Sequence, residues 1–314
     1  MSAPDPWTSG PRRVLALAVL ALVGLALVVV GTGLDRRDVR PPAIAPAQLE
    51  VMSLGDSLSR GVQPVGPGGA DVVTDRGYPP RLVRLLSARH GEVRLVEAGC
   101  GGADVTTLLR GGACAPRAPV PYGGDGPASS QVAWAVRRLR DRGSAPTLVT
   151  LDVGGNDLLR CLRPDRRALQ RCLAAGEPGL ERGLRSIARR LRTAAGPRTV
   201  LVGATVPDPF VGLLRAGGAP RPAVLALHRA IRDRVNPRLA AVLRDEGWLV
   251  GDLGRALGGN GTLTGRDPRA VAAACDLTWM CAVGDVHLKD EGYARAARLF
   301  DRVSRRSVDR AVGG

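Results

Sequence analysis

Short runs of consecutive apolar residues alternate along the chain with segments in which apolar positions recur every three or four residues. A continuous apolar run suits a strand buried on both faces, and the longer spacing suits a helix with one buried face. The predicted strands are residues 49–54, 93–98, 147–153, 199–204 and 248–253. The predicted helices are residues 81–88, 131–139, 180–194, 223–243 and 293–303. This alternation predicts one α/β domain over residues 49–308, with a parallel central sheet, helices on both sides and a tail at 309–314.

A long apolar stretch, residues 14–34, precedes this domain. Its 21 residues carry no charge, and a helix of that length crosses a bilayer core of about 30 Å. We interpret it as a transmembrane anchor, with residues 1–13 as a cytoplasmic tail and residues 35–48 as a linker. A cleaved signal peptide is the alternative, because Arg12 and Arg13 precede the stretch, although its apolar core is normally only about 7–15 residues long. In both cases we expect the domain outside the cytoplasm, either on the cell membrane or secreted.

The charge balance changes this picture little. The chain has 45 Lys and Arg against 29 Asp and Glu, a formal charge of +16, which would suit a polyanionic partner. Lys289 is the only lysine, however, and the arginines are scattered along the whole chain. Aromatic residues make up only 3% of the chain, so few rings are present for stacking on bases. We therefore expect no nucleic-acid partner.

The six cysteines fall into three couples that are local in sequence: Cys100 with Cys114, Cys161 with Cys172, and Cys275 with Cys281. None has the C-x-x-C spacing of a zinc site, and no histidines cluster near them, so we expect no metal. Six cysteines allow about 15 disulfide connectivities, and pairing between neighbours needs the least rearrangement of the chain. Six free buried thiols are the alternative. Disulfides would place the domain in an oxidising compartment.

Two polar motifs lie where a parallel sheet binds its ligands, beyond the carboxyl ends of strands, and a third lies near the C-terminus. Gly55-Asp56-Ser57 follows the first predicted strand, and the sequence GGND at 154–157 follows the third. His287 precedes the last predicted helix. Each motif alone is a weak signal, since a serine can cap a helix and a histidine can pack in a core. His90 and His228 lie in or beside predicted helices, and we expect both at the surface.

In this order the motifs resemble the SGNH (GDSL) hydrolase family over roughly residues 50–305. The segment 55–59 matches the nucleophile block, Gly102 the glycine block, 154–157 the G-x-N-D block, and His287 the C-terminal histidine. The surrounding cysteines are similar to an actinobacterial secreted or membrane-anchored subgroup with three disulfides. The resemblance implies a three-layer α/β/α, flavodoxin-like fold. It also implies an esterase or lipase that needs neither metal nor cofactor.

The resemblance also implies a role for each motif. Ser57 would be the nucleophile and would carry an acyl group, with His287 as its general base. The N–H groups of Ser57 and Gly102 and the side-chain amide of Asn156 would stabilise the oxyanion. The family's usual acid lies three residues before the histidine, where this chain has Gly284. Asp285, two residues before, is the acid we expect, and the Gly284 carbonyl is the alternative partner of the imidazole.

The substrate is predicted only by class, as a small-molecule or lipid ester. Trp279 lies between Cys275 and Cys281 just before the histidine, and it either lines the path of an acyl chain or packs the loop. Gly- and Pro-rich loops at 63–71 and 115–128 are candidates for the cleft entrance.

Two other functions compete with ester hydrolysis. One is an anchored, non-catalytic module that binds a lipid or glycan on the same scaffold. The other is an S-adenosylmethionine methyltransferase, suggested by the E-x-G-x-G pattern of residues 97–101, where a glycine-rich turn follows a predicted strand. A methyltransferase would leave Ser57, Asn156 and His287 without a role.

Overall fold

The computed structural model describes residues 48–66, 69–117, 119–122, 129–259 and 268–314. The predicted tail at 1–13, the predicted anchor at 14–34 and the linker as far as residue 47 lie outside these ranges. In the part of the chain that is described, no helix is both long enough and apolar enough to cross a membrane.

A parallel sheet forms the centre of the domain, with a small antiparallel hairpin beside it. The described strands are β1 (Leu49–Gly55), β2 (Gln63–Pro64), β3 (Asp71–Val72), β4 (Val93–Glu97), β5 (Thr147–Asp152), β6 (Thr199–Ala204) and β7 (Leu249–Gly251). The main sheet has the order β4-β1-β5-β6-β7, and β2 pairs with β3. The main-sheet strands are the ones predicted from apolar runs, so the predicted parallel sheet is confirmed. Without the hairpin, the chain order across the sheet is 2-1-3-4-5, as in flavodoxin-like folds.

Helices cover both faces of the sheet. Those in the described residues are α1 (Tyr78–His90), α2 (Val105–Arg110), α3 (Gln131–Arg142), α4 (Gly155–Leu159), α5 (Arg166–Ala194), α6 (Leu213–Ala216), α7 (Arg221–Ala230), α8 (Asn236–Asp245), α9 (Leu253–Ala256), α10 (Pro268–Leu277), α11 (Met280–Val283) and α12 (Asp290–Gly313). Successive residues of a strand point to opposite faces, so Val51 joins one apolar core and Met52 the other. The first core lies under α1 and α12, and the second lies under α3, α5, α7 and α8.

All five predicted helices differ somewhat from their observed bounds, and three of them differ in extent or continuity. Helix α5 begins at Arg166 and runs through Pro178, whereas the prediction starts at 180. The predicted helix 223–243 is two helices joined by a π-helical turn at Ile231–Val235. This turn precedes Pro237, which has no N–H to donate to the carbonyl four residues before it. Helix α12 continues to Gly313, through the segment predicted as a tail at 309–314.

The cysteines pair with their sequence neighbours, as predicted. The bonds are Cys100–Cys114, Cys161–Cys172 and Cys275–Cys281, and the alternative of six free thiols is wrong. The first bond closes the loop that carries Gly102, and the third joins α10 to α11 shortly before His287. Two of the three disulfides therefore constrain loops that carry predicted site residues.

Replacing both Cys100 and Cys114 by serine should lower the free energy of unfolding by about 3 kcal/mol, because closing a loop of about 15 residues restricts the unfolded chain by that amount. Denaturant unfolding of the oxidised proteins measures the difference. The wild type in reducing agent serves as the control and should be destabilised further, since it loses all three bonds. A double variant as stable as the oxidised wild type would contradict the prediction.

Candidate active site

Ser57 lies in the tight turn that follows β1. Gly55 ends the strand with φ +139°, and a Cβ at this position would lie 2.2 Å from the carbonyl oxygen of Asp152, so only glycine fits. The side chain of Gln131 holds both backbone groups of Gly55: Oε1 accepts from the N–H at 3.0 Å, and Nε2 donates to the carbonyl at 2.8 Å. Ser57 then occupies the N-cap position of a short 3-10 helix, Leu58–Arg60, without a capping hydrogen bond from its side chain. The nucleophile predicted from sequence is thus fixed at the end of a central strand.

Asn156 lies at the end of the neighbouring strand. Gly154 has φ +112° and turns the chain from β5 into α4, whose first turn carries Asn156. The Asn156 Nδ2 donates to the carbonyl of Ala103 at 2.8 Å, so the amide contacts the loop that carries Gly102. Strands β1 and β5 are paired with each other, and in this pairing Gly55 lies opposite Asp152. The Ser57 turn and Asn156 therefore lie together at the carboxyl ends of two neighbouring strands, at the point where the strand order reverses.

His287 lies in the loop between α11 and α12. Its Nδ1 is 2.8 Å from Oδ1 of Asp285, and the same oxygen accepts its backbone N–H at 2.8 Å. Of the two partners considered from sequence, Asp285 is the one in contact with the imidazole. The His287 carbonyl accepts the N–H of Trp279 at 2.9 Å. The loop is therefore tied to the segment between the third pair of cysteines.

Ser57, Asn156 and His287 line one cleft of about 560 Å³. The rest of its wall is mostly apolar, with Val153, Leu159, Val206, Pro207, Pro209, Phe210 and Val286. The structure thus brings together the nucleophile, the base and one oxyanion donor predicted from sequence. It gives them an apolar surface that could bind an acyl group.

Besides Asp285, which reaches the cleft only through His287, two predicted site residues lie outside its wall. Gly102 is exposed on the loop after β4, with φ +76°, next to the Ala103 carbonyl that Asn156 binds. The ring of Trp279 lies under Lys289, whose Nζ is 5.5 Å from the ring centroid. The structure therefore places the Trp279 side chain in the packing of its loop and not on the cleft wall.

A buried pair of acids lies beneath the Ser57 turn. Burial raises the pKa of Asp56 well above its usual value, and the charge of Asp152 raises it further. Burial also raises the pKa of Asp152, to about 6, although the Tyr78 hydroxyl donates to its Oδ1 at 2.7 Å and opposes the rise. We therefore assign the shared proton to Asp56. Sequence reasoning missed Asp152, because an acid at the end of an apolar strand shows no partner in the sequence.

A second acid beside the imidazole was also missed. Asp71, in the β2–β3 hairpin, lies with its Oδ1 3.7 Å from Nδ1 of His287. Burial lowers the pKa of His287, but the hydrogen bond to Asp285 and the charges of Asp285 and Asp71 outweigh it, so the net pKa lies above 6.5. The hairpin strands are two residues long and have no periodicity. The sequence offered only the weak signal that loop 63–71 is a candidate for the entrance.

The expectation that His228 lies at the surface is wrong. It is 1% exposed, and its Nδ1 lies 2.7 Å from Oδ2 of Asp208, because α7 turns this face toward the loop after β6. His90 is also largely covered, with its Nε2 3.1 Å from a carboxylate oxygen of Asp309. Neither histidine lines the cleft that contains Ser57.

One group of residues in the described part of the chain could together hold a metal ion. It consists of Asp71, Asp285 and His287, whose ligand atoms lie within 4.8 Å of one another. The imidazole and Asp285 already form a hydrogen bond through Nδ1. We therefore interpret the three as an acid–histidine cluster.

Comparison with known proteins points to one family. The family model described as the GDSL-like lipase/acylhydrolase family matches residues 53–295. The match includes all the motifs that carry the resemblance, from Ser57 to His287. It also includes Glu97 to Gly102, the segment that suggested a methyltransferase. No curated protein sequence matches the chain.

Solved structures of similar fold include enzymes that act on esters. An extracellular lipase from Streptomyces rimosus has 18% identity and a TM-score of 0.52, over 81% of this chain and 99% of the lipase. A phospholipase A1 from Streptomyces albidoflavus NA297 has 19% identity and a TM-score of 0.49, over 81% and 98% of the two chains. An aryl esterase from M. smegmatis has 15% identity and a TM-score of 0.46, over 82% and 98%.

If His287 is the general base, it must be neutral to accept a proton, so kcat/KM should rise with pH through an apparent pKa above 6.5. Asp71→Asn removes a negative charge near Nδ1 and should shift this rise to lower pH, while most of the plateau rate is retained. Asp285→Asn should also lower the pKa, and it should reduce the plateau rate because the imidazole loses its hydrogen-bond partner. The pH dependence of kcat/KM for a soluble ester measures both effects. An Asp71→Asn profile that superimposes on the wild-type profile would show that Asp71 does not act on the imidazole.

Proposed function

The chain belongs to the GDSL-like lipase/acylhydrolase family, and on that premise we propose that it hydrolyses carboxylic esters through an acyl-enzyme on Ser57. One observation carries the proposal: Ser57, Asn156 and His287 line the same cleft, with Asp285 on the far nitrogen of the imidazole. These groups supply the nucleophile, oxyanion donor and base that acyl transfer requires.

The first half of the reaction acylates Ser57. Nε2 of His287 takes the proton of the Ser57 hydroxyl as Oγ attacks the ester carbonyl, and the carbonyl oxygen becomes an oxyanion. The Asn156 amide and the N–H of Ser57, two residues that line the cleft, stabilise that charge. The bond to the alcohol then breaks, and the alcohol leaves with the proton held by His287.

The second half releases the acid. His287 takes a proton from a water molecule, which attacks the acyl-enzyme at the same carbonyl carbon. The second oxyanion collapses, and Ser57 Oγ leaves with the proton from His287, so that the enzyme is regenerated and a carboxylic acid is formed. Throughout the cycle Asp285 accepts a hydrogen bond from Nδ1. It thereby orients the ring and favours its cationic form.

The cleft indicates the substrate class. Its wall is mainly apolar, and its polar side chains are those of Ser57, Asn156 and His287, together with Asp56, Asp152 and Thr205. A mainly apolar cleft that is partly open to solvent suits an ester with a short or medium acyl chain better than an extended polar glycan. We therefore propose an acyl ester, small-molecule or lipid, as the substrate.

We propose that the domain works outside the cytoplasm. All six cysteines are oxidised, and such bonds persist in oxidising compartments. The apolar stretch at 14–34 would either hold the domain at the outer face of the cell membrane or direct its secretion. Fractionation of cells that express the full chain distinguishes a membrane-bound domain from a released one.

Ser57→Ala should abolish turnover of 4-nitrophenyl acetate, because no acyl-enzyme can form, and the melting temperature should stay close to that of the wild type. Ser144→Ala is the matched control, since Ser144 is exposed on the loop that precedes β5, at the opposite end of the strand from the cleft. Chelation with EDTA should leave wild-type activity intact. Activity that survives in Ser57→Ala would exclude the proposed mechanism.

Asn156→Ala should lower kcat by about 10² to 10³, the usual effect of losing one oxyanion donor. KM should change much less, because the amide binds the transition state more strongly than the bound ester. Steady-state kinetics on the same ester separates the two parameters. A decrease confined to KM would instead assign Asn156 to ground-state binding.

A further inference from the structure

A second apolar cavity lies next to the Ser57 cleft. It is partly open to solvent, has a volume of about 730 Å³, and shares three lining residues with the cleft: Leu159, Phe210 and Val286. Side chains that line both cavities stand between them. We call these three the partition residues.

The second cavity suits a hydrocarbon chain. Its wall includes Leu162, Pro164, Leu213 and Met280 in addition to the partition residues. The one charged residue in the wall, Arg163, is exposed and donates to the carbonyl of Leu162 at 2.9 Å. A polar ligand would find few hydrogen-bonding partners here, whereas methylene groups would gain burial.

Phe210 is fixed in its place by buried polar contacts. Its N–H donates to Oδ1 of Asp208 at 3.1 Å, and the other carboxylate oxygen lies 2.7 Å from Nδ1 of His228. Phe210, Asp208 and His228 are all at most 5% exposed. The role of the buried His228 is then to hold the loop that carries the partition.

The loop is also confined from the other side. A Cβ on Gly212 would lie 2.9 Å from Cγ of Met280 and 3.1 Å from Sγ of Cys281. The backbone two residues after Phe210 therefore packs directly on the segment that the Cys275–Cys281 disulfide constrains. These two supports fix the backbone that carries Phe210, and the residue is 4% exposed.

We propose that the second cavity is a subsite for the distal part of a linear acyl chain, and that Phe210 limits how far a chain extends from Ser57 toward it. The inference rests on the proposed ester hydrolysis and adds its chain-length specificity. In the wild type, chains that end before Phe210 fit the cleft without displacing the ring. Removing the ring joins the two cavities and gives longer chains a buried path.

The test compares kcat/KM for 4-nitrophenyl esters from acetate to decanoate, at concentrations below aggregation, in the wild type and in Phe210→Ala. Each methylene that gains burial is worth about fourfold in kcat/KM. The ratio of octanoate to acetate hydrolysis should therefore rise by about tenfold or more in Phe210→Ala. Leu159→Ala, on the other side of the partition, should shift the ratio in the same direction.

Two further variants make the result specific. In the Phe210→Ala background, Leu213→Trp fills the second cavity and should return the ratio toward the wild-type value. Val211→Ala truncates the buried neighbour of Phe210, which lines neither cavity, and should leave the ratio as in the wild type. A rise in Val211→Ala would mean that loosening the loop is sufficient, and this would overturn the role of the partition.

The outcomes separate the inference from the proposed function. Wild-type protein that hydrolyses none of the esters would contradict ester hydrolysis itself. Acetate hydrolysis that depends on Ser57, together with an unchanged chain-length profile in both Phe210→Ala and Leu159→Ala, would overturn only the subsite. If the octanoate-to-acetate ratio rises in Phe210→Ala and stays high after Leu213→Trp is added, the subsite is overturned as well, because the acyl chain would then extend by another route. If Phe210→Ala does not fold, Leu159→Ala with the same series decides the question.

Discussion

The parallel pairing of β1 with β5 is the constraint on which the site depends. Gly55 and Asp152 are partners in the register, and the space between them has no room for a Cβ. Both strands end at the same level, so the turns beyond them bring Ser57 and Asn156 to one edge of the sheet. Any side chain at position 55 would push the strands apart and separate Ser57 from Asn156.

His287 reaches this edge by a different route. It lies on no strand, and its position depends on the start of α12, which contacts the segment just after the nucleophile. The Tyr293 hydroxyl donates to the carbonyl of Val62 at 2.7 Å, and Gln63 donates to a carboxylate oxygen of Asp290 at 3.0 Å. These bonds connect residues more than two hundred positions apart in sequence. The position of His287 relative to Ser57 therefore depends on contacts between the two ends of the domain.

The central sheet was predictable because its strands are buried on both faces and therefore appear as unbroken apolar runs. The first part of α5 could not be predicted, since Pro178 and its neighbouring glycines look like a loop. In the structure, Leu169 and Leu173 are buried in the core among the neighbouring helices. The motif residues were predictable because backbone geometry demands glycine beside them. Asp71 and His228 were not, because each depends on a partner brought near by the fold, and neither partner is visible in a local pattern.

The proton on Asp56 lowers the charge that is buried beneath the Ser57 turn. With Asp56 neutral, the pair formed by Asp56 and Asp152 carries one negative charge instead of two. Two unit charges 4 Å apart repel by about 4 kcal/mol at the effective dielectric of a protein surface, so ionising both carboxyl groups would make the folded state less stable. The turn that carries Ser57 thus rests on one carboxylate and one neutral carboxylic acid, and the protein avoids burying two adjacent charges.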